Sequence, residues 1–589
     1  MENKKVKIVS IISIIALVIT IIGATYAYFV AQTGEGKSTD IKINANTVDT
    51  FTFATGSALS LNINQQNFAS GAGNQTGTTY AKAMLTANNK TNTATEHYYL
   101  YLSISENTFT YTQDENTPEI LLTIKDGSNN EITSISGLNY KTVKDGKGAS
   151  ISGFDITTKK GLITLFNNRE ITTTSTKTEE WNITITFVNY NANQVANAGK
   201  SFSSKVMIQK EKIPTLTEYV ISQYTGTQGD NALYYHTSTL ANGAGDNSYR
   251  YAGGDYVLTD AGKATGATMM IGYDNTVTTA LIDFYCNGKK QYVGYAFRSC
   301  STHYYQIKGD TTQYQTYNEA LNVSVEKGYL TKDNVKNFVC FGSTTSPCPT
   351  ENLYRIIGVF NNQVKLVKWD YAKSSLLGTD GDFSYEGTDH YYSGEQGEIP
   401  SSNSLYYWNN AGTNTWSESN LNKINLNTNF VNNIGTAWAK KIATTTWKVG
   451  GGSWSNILTS VPKIAYQYEV GSSASTTTCE AKIGLMYASD YYYAANPSAW
   501  TLVGYNSSDY TKEYRFSKGE NWLYGGGSDW TISRRSEASD YAFYVNIIGH
   551  MYNDRVGSYG YGVRPSFSFE ASTTYVSGTG TQSDPIIIN

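Results

Sequence analysis

Tyr98-Tyr99-Leu100-Tyr101-Leu102-Ser103-Ile104 and Trp181-Asn182-Ile183-Thr184-Ile185-Thr186-Phe187 decide the reading of the first third of this chain. In the first, Tyr98, Leu100, Leu102 and Ile104 fall on one side of an extended strand. In the second, Trp181, Ile183, Ile185 and Phe187 alternate with Asn182, Thr184 and Thr186. A period of two is the mark of a strand with one buried face. Ile120, Leu122 and Ile124 repeat it, and Asp126-Gly127 and Asn129-Asn130 supply turn residues between such runs. Helical spacing is absent here. The pattern predicts an antiparallel β-sandwich, jelly-roll-like, over residues 28–212.

The whole composition agrees with a mainly β chain. Its 589 residues include 48 Tyr and 52 Gly, and only 16% are charged, so the chain is neither disordered nor short of core material. The length suits three or four domains. Formal net charge is -4; residues 1–27 carry Lys4, Lys5, Lys7 and Glu2, a net of +2, so the remainder stands at -6. A mildly acidic chain without dense Lys/Arg runs lacks the footprint of a nucleic-acid binder.

Outward from the strands, the N-terminus reads as an export signal. Three lysines precede an apolar run, Ile8 to Ile22, that ends in Gly23-Ala24-Thr25-Tyr26-Ala27-Tyr28-Phe29. Cleavage after Ala27 would use Thr25 and Ala27 as the small residues. The nearly unbroken apolar stretch from Val6 to Ala31 is also long enough to remain as a membrane anchor. The Gly-Ala-Thr-Tyr-Ala-Tyr-Phe block resembles the signal of camelysin/TasA-type biofilm matrix proteins of Gram-positive bacteria, with Val30-Ala31-Gln32 in place of their acidic residue. That resemblance implies a jelly-roll subunit able to self-associate into fibres by donating an extended segment to a neighbour's sheet. The chain lacks H-E-x-x-H, so the peptidase activity ascribed to some members is not carried over.

Residues 213–256 read as a joining region, with a short helix over Thr215–Ile221 and Gly/Asn/Asp-rich loops after it. Residues 257–337 read as an inserted subdomain with a helix beginning near Thr316. Residues 338–589 hold nine of the ten Trp. Their opening, Leu353 to Phe360, then Asn361-Asn362, then Val364 to Lys368, predicts a β-hairpin. Phe430, Ile434, Trp438 and Ile442 predict an amphipathic helix with Asn427 as a plausible cap, and later strands are expected at 482–487, 530–533, 542–545 and 563–569.

Asn352-Leu353-Tyr354-Arg355-Ile356-Ile357-Gly358, Ile483-Gly484-Leu485-Met486-Tyr487, Trp530-Thr531-Ile532-Ser533-Arg534-Arg535-Ser536 and Gly562-Val563-Arg564-Pro565 resemble an uncharacterised C-terminal module of exported proteins from gut Firmicutes. The order Trp, Arg-Ser, strand, Gly-Val-Arg-Pro is also similar to the end of C-type-lectin-like and formylglycine-enzyme-type folds. The resemblance implies an α+β, lectin-like domain; a fold by itself assigns no function.

Candidate sites follow from residue type. Outside the cell disulfides are allowed, and the local pairs Cys286–Cys300 and Cys340–Cys348 are the simplest, leaving Cys479 odd. Zinc is the alternative, but no C-x-x-C supports it. His97, His236, His303, His390 and His550 show no catalytic spacing and read as surface or loop residues. Cys479 has no identifiable partner base. Asp380, Asp382 and Asp389 read as turn residues before calcium ligands. No catalytic residue, metal or cofactor is expected. The strongest lead is the aromatic set Tyr406, Tyr407, Trp408, Trp416, Trp447, Trp454, Trp500, Trp522 and Trp530, which would stack on sugar rings if exposed and build a core if not. Trp522-Leu523-Tyr524 before Gly525-Gly526-Gly527 is the segment expected at the surface. Trp522, Tyr524, Trp530, Arg534 and Arg535 form the candidate ligand site; Arg534, Arg535 and Arg564 would hold a carboxylate or pair internally with Glu537 or Asp540. The sequence thus predicts an exported or cell-surface adhesin-like protein, non-catalytic, whose partner is an extracellular glycan or surface protein. The second reading is a matrix-fibre subunit. Nucleic acid is not an expected partner.

Overall fold

The computed structural model describes residues 49–589 except 69–70, 89–91, 115, 273–277, 291–301, 388–402, 505–519 and 547–548. The export signal, Ala27 and the extended segment 28–46 that would be donated to a neighbour lie outside the described residues, as do Cys300, Asp389 and His390. The chain is mainly β and divides into two units, 1–213 and 214–589. Among the described residues no helix is long and apolar enough to cross a membrane.

In the first unit the period-two runs become strands. They are β1 (Thr50–Thr55), β2 (Leu59–Asn62), β3 (Gln75–Thr86), β4 (Ala94–Asn107), β5 (Ile120–Asp126), β6 (Tyr140–Lys144), β7 (Ser150–Asp155), β8 (Gly161–Thr173), β9 (Thr176–Phe187) and β10 (Ser201–Gln209). They form two antiparallel sheets, ordered β1-β3-β9-β5-β7-β6 and β2-β10-β4-β8. Leu100, Leu102 and Ile104 of one sheet and Ile120, Leu122, Ile124, Trp181, Ile183, Ile185 and Phe187 of the other share one apolar cluster. Register is fixed by this burial, because a one-residue slip would turn the Ile and Leu side chains out to water. The long β3–β9 pairing runs from Gln75 opposite Phe187 to Thr86 opposite Thr176. A polar cluster ties the two sheets together. The Tyr98 hydroxyl on β4 donates to Glu179 on β9 at 2.6 Å, and Trp181 Nε1 donates to that hydroxyl at 2.8 Å. Arg169 on β8 pairs with Glu179 at 2.7 Å and stacks over Trp181.

Residues 214–256 correct the expectation of a joining region. The helix Leu216–Ser222 forms as expected, with Thr215 and Glu218 making a reciprocal cap. Beyond it, Leu233–Tyr235 pairs with Tyr249–Tyr251, which pairs with Leu353–Phe360. This segment is therefore edge and core of the second unit. Its main sheet runs Leu233–Tyr235, Tyr249–Tyr251, Leu353–Phe360, Gln363–Lys368 and Ser566–Ser568, and Phe338–Cys340 pairs with Leu353–Phe360 as well. The hairpin of 353–368 is present, and its turn residues Asn361 and Asn362 take the positive φ that a tight hairpin needs.

Residues 257–337 interrupt that sheet between two neighbouring strands. Val257–Leu258 pairs with Leu330–Thr331 at the base. Above it, Ala280–Cys286 pairs with His303–Ile307, and the helix Tyr317–Glu326 closes a separate small core of Leu281, Phe284, Tyr305, Tyr317 and Leu321. The expected amphipathic helix over 430–442 is displaced. A π-helix begins at Leu421 and runs to Phe430, and the path breaks at Gly435, whose φ of 82° no continuing helix accepts. Asn427 is inside it, not at a cap, donating to the Asn422 and Ile483 carbonyls. Residues 482–487 are likewise not a strand: only Gly484 bridges, to Ser566, and Trp447 packs against that glycine where a Cβ would stand.

Candidate functional site

The aromatic segment expected at the surface is buried. Trp522, Leu523 and Tyr524 are 3%, 1% and 3% exposed, and Trp530 is 1% exposed. The reason lies in their polar ends, which find backbone partners inside the fold. Trp522 Nε1 donates to the Tyr251 carbonyl at 2.9 Å and Trp530 Nε1 to the Tyr406 carbonyl at 2.8 Å. A satisfied indole loses little by burial and brings a large apolar area with it. Trp408, Trp416, Trp447 and Trp500 are buried as well. Arg534 donates to the Val449 carbonyl and to Asn414 Oδ1, and Arg535 pairs with Glu537 at 2.9 Å beside Trp454. The five candidate residues thus do not form one exposed platform, and Trp530, Arg534 and Arg535 are occupied in the fold.

Two of the five, Trp522 and Tyr524, do line a cavity of about 100 Å³ in the second unit. It opens beside the end of strand Gln363–Lys368. Lys368, Trp369 and Asp370 form one wall, Trp522 to Gly525 another, and Asp255, Arg355 and Arg564 the remainder with Val367. Each arginine is held from behind. Arg355 makes a two-pronged pair with Asp255 at 2.7 and 2.8 Å, donates to Asn337 Oδ1 at 2.6 Å, and lies between the rings of Phe338 and Trp522. Arg564 is paired with fully buried Asp529 at 2.7 Å. Of the two roles open to Arg564 in the sequence, it takes the internal pairing, with Asp529 in place of Glu537 or Asp540.

Lys368 differs from both. It is 3% exposed, and among the described residues its amine has neither a hydrogen bond nor an ion pair. Its nearest aromatic face is Tyr354, 5.7 Å away. Burial pushes the amine down to about 8, against the opposing fields of Asp370 and Glu351. Lys365, three residues earlier on the same buried strand, is instead paired with Asp490 at 2.6 Å. Sequence alone does not single out Lys368, because a lysine in a hairpin arm is ordinarily solvated. The available signal was two lysines in a run otherwise made of Val and Leu.

The remaining sequence candidates lie elsewhere in the fold. Cys340 and Cys348 are bridged. Cys286 is described but Cys300 is not, so that pairing lies outside the described residues. Cys479 is a half-buried free thiol that accepts from Asn422 Nδ2 at 3.6 Å. Asp382 is fully buried and accepts from the Leu421 and Asn410 N–H groups, and Asp380 accepts from Asn429. His236 and His550 sit in loops, as expected, but are buried there. His236 Nδ1 accepts the Ala244 N–H, its ring packs on Tyr493 and Trp500, and burial holds it well below the usual imidazole range. Glu469 is buried under the turn at 487–489. It accepts the Ala488 and Ser489 N–H groups and the Ser533 hydroxyl, and burial raises it to about 7.

No family model, curated protein or solved structure matches this chain.

Proposed function

We propose that this is an exported, cell-surface binding protein, adhesin-like and non-catalytic, whose second unit recognises an extracellular glycan or surface protein. The observation that carries the reading is the cavity beside Lys368, where two tryptophans, paired arginines and one unpaired amine converge. Ligand sites are concave, largely aromatic and apolar, and carry a few placed polar groups. The lectin-like α+β architecture and the jelly-roll sandwich belong to this proposal. They are supported by the antiparallel sheets and the shared core of the first unit and by the mixed strands and short helices of the second. The test is an array of glycans and purified surface polymers probed with the exported full chain. Saturable binding supports the reading, and a blank array from folded protein overturns it.

The matrix-fibre reading is favoured by one separate observation. The two sheets of the first unit end in β1, β6, β2 and β8, and an edge strand offers backbone groups to an added strand. Chains lacking residues 28–46 should then stay monomeric under conditions in which the full chain assembles. Assembly of the shortened chain would refute donation by that segment.

A further inference from the structure

We infer that the cavity beside Lys368 takes the carboxylate head group of an acidic sugar, with the Lys368 amine as its ion-pair partner. This rests on the reading of the second unit as a binding module and names the class of ligand.

Removing an ammonium from water costs several kcal/mol unless a partner replaces the lost solvation. Lys365 on the same strand, and Arg355 and Arg564 at the same cavity, each have such a carboxylate: Asp490, Asp255 and Asp529. Among the described residues Lys368 has none, although it is equally buried. Asp370 also lines the cavity, but its Oδ1 accepts the N–H of Tyr371, and it and Glu351 act on Lys368 only through their field, opposed by Lys373. The fold therefore maintains a donor-rich cationic group, three N–H bonds in all, facing a space that none of the described residues fills.

Size and walls narrow the occupant. About 100 Å³ holds a few water-sized groups, enough for a carboxylate and the ring carbon bearing it, and too little for a whole oligosaccharide. Trp369 and Trp522 both line the cavity, Trp522 with one face already under Arg355, so they bring apolar ring atoms beside the amine, and the Asp370 carboxylate is an acceptor for a sugar hydroxyl. A phosphate would need more donors than one amine and two guanidinium groups already committed to Asp255 and Asp529. A planar carboxylate needs fewer.

The test is calorimetric titration of the full chain with glucuronate, glucuronate methyl ester, N-acetylneuraminate and glucose. At least one of the two acids should bind at pH 6.5, and glucose should not. Where glucuronate is the acid that binds, its ester should bind at least tenfold more weakly, the loss of one charge-assisted hydrogen bond. Affinity for the acid should fall between pH 7 and 10 as the amine loses its proton, and Lys368→Met should abolish the preference while tryptophan fluorescence stays native. Equal binding of glucuronate and its ester, or an acid affinity flat with pH, overturns the inference on wild-type protein alone and leaves the binding reading intact. Failure of every sugar acid at millimolar concentration also overturns it. Only a blank glycan and polymer array overturns the broader reading as well.

Discussion

Replacing Lys368 by Met should make the protein more stable at neutral pH, and the gain should disappear in alkali. The methionine keeps the length and apolar stem of the lysine and removes a buried, unpaired charge. In the folded chain the amine sits at about 8, against 10.5 for an unperturbed lysine. Between those values the unfolded chain binds more protons than the folded one, so wild-type stability rises with pH across that window. Two and a half pH units at 1.36 kcal/mol each give about 3 kcal/mol of destabilisation at pH 7, removed by pH 10.5. Cases in which buried ions are exchanged for apolar residues of similar volume gain about 1–4 kcal/mol, the same range. Nine of the ten tryptophans lie in residues 338–589, so indole fluorescence during urea unfolding follows the second unit. The difference between variant and wild type should narrow by about 3 kcal/mol from pH 7 to 10.5. Parallel curves, or a variant less stable at pH 7, would refute the claim that the amine is unpaired in the fold.

Glu469→Gln removes a buried acid raised to about 7 from 4.5, so wild-type stability should fall by about 3 kcal/mol as pH rises from 4.5 to 7 and the variant's should not; equal slopes in pH-dependent urea titrations would contradict this. Gly358→Ala would place a Cβ 2.1 Å from the Tyr249 carbonyl oxygen, and differential scanning calorimetry should show a loss of about 1–3 kcal/mol or no folding. Tyr98→Phe strips the hydroxyl shared by Glu179 and Trp181 Nε1, leaving a buried indole donor unmet; a loss of about 1–3 kcal/mol should appear in the transition of the first unit, followed by near-ultraviolet circular dichroism.

The first unit was largely legible because one physical rule governs it. Strands with one buried face alternate, so Tyr98 to Ile104 and Trp181 to Phe187 declared both their conformation and their inward side. The second unit was legible only where local chemistry decides structure, as at the Thr215 cap and the Asn361-Asn362 turn. Its helix at 421–430 escaped because the apolar residues after it carry a cleaner four-residue spacing, and Gly435 breaks that run. The site was half legible. Residue type points to tryptophan and arginine as ligand residues, but their exposure depends on carbonyls of Tyr251, Tyr406 and Val449, far away in sequence. Lys368 stands out only in the fold, where, among the described residues, the other buried cations Arg250, Arg355, Lys365 and Arg564 each have a carboxylate and Lys368 does not.

The most direct measurement is fluorine NMR of the full chain carrying 5-fluorotryptophan, its ten signals assigned by Trp→Phe variants and followed while a ligand found on the array is added to saturation. If the cavity beside Lys368 is the binding site, the signals of Trp369 and Trp522 shift together with the binding isotherm, and that of Trp181 in the first unit does not move. A ligand that saturates the protein while Trp369 and Trp522 stay unmoved would contradict the account.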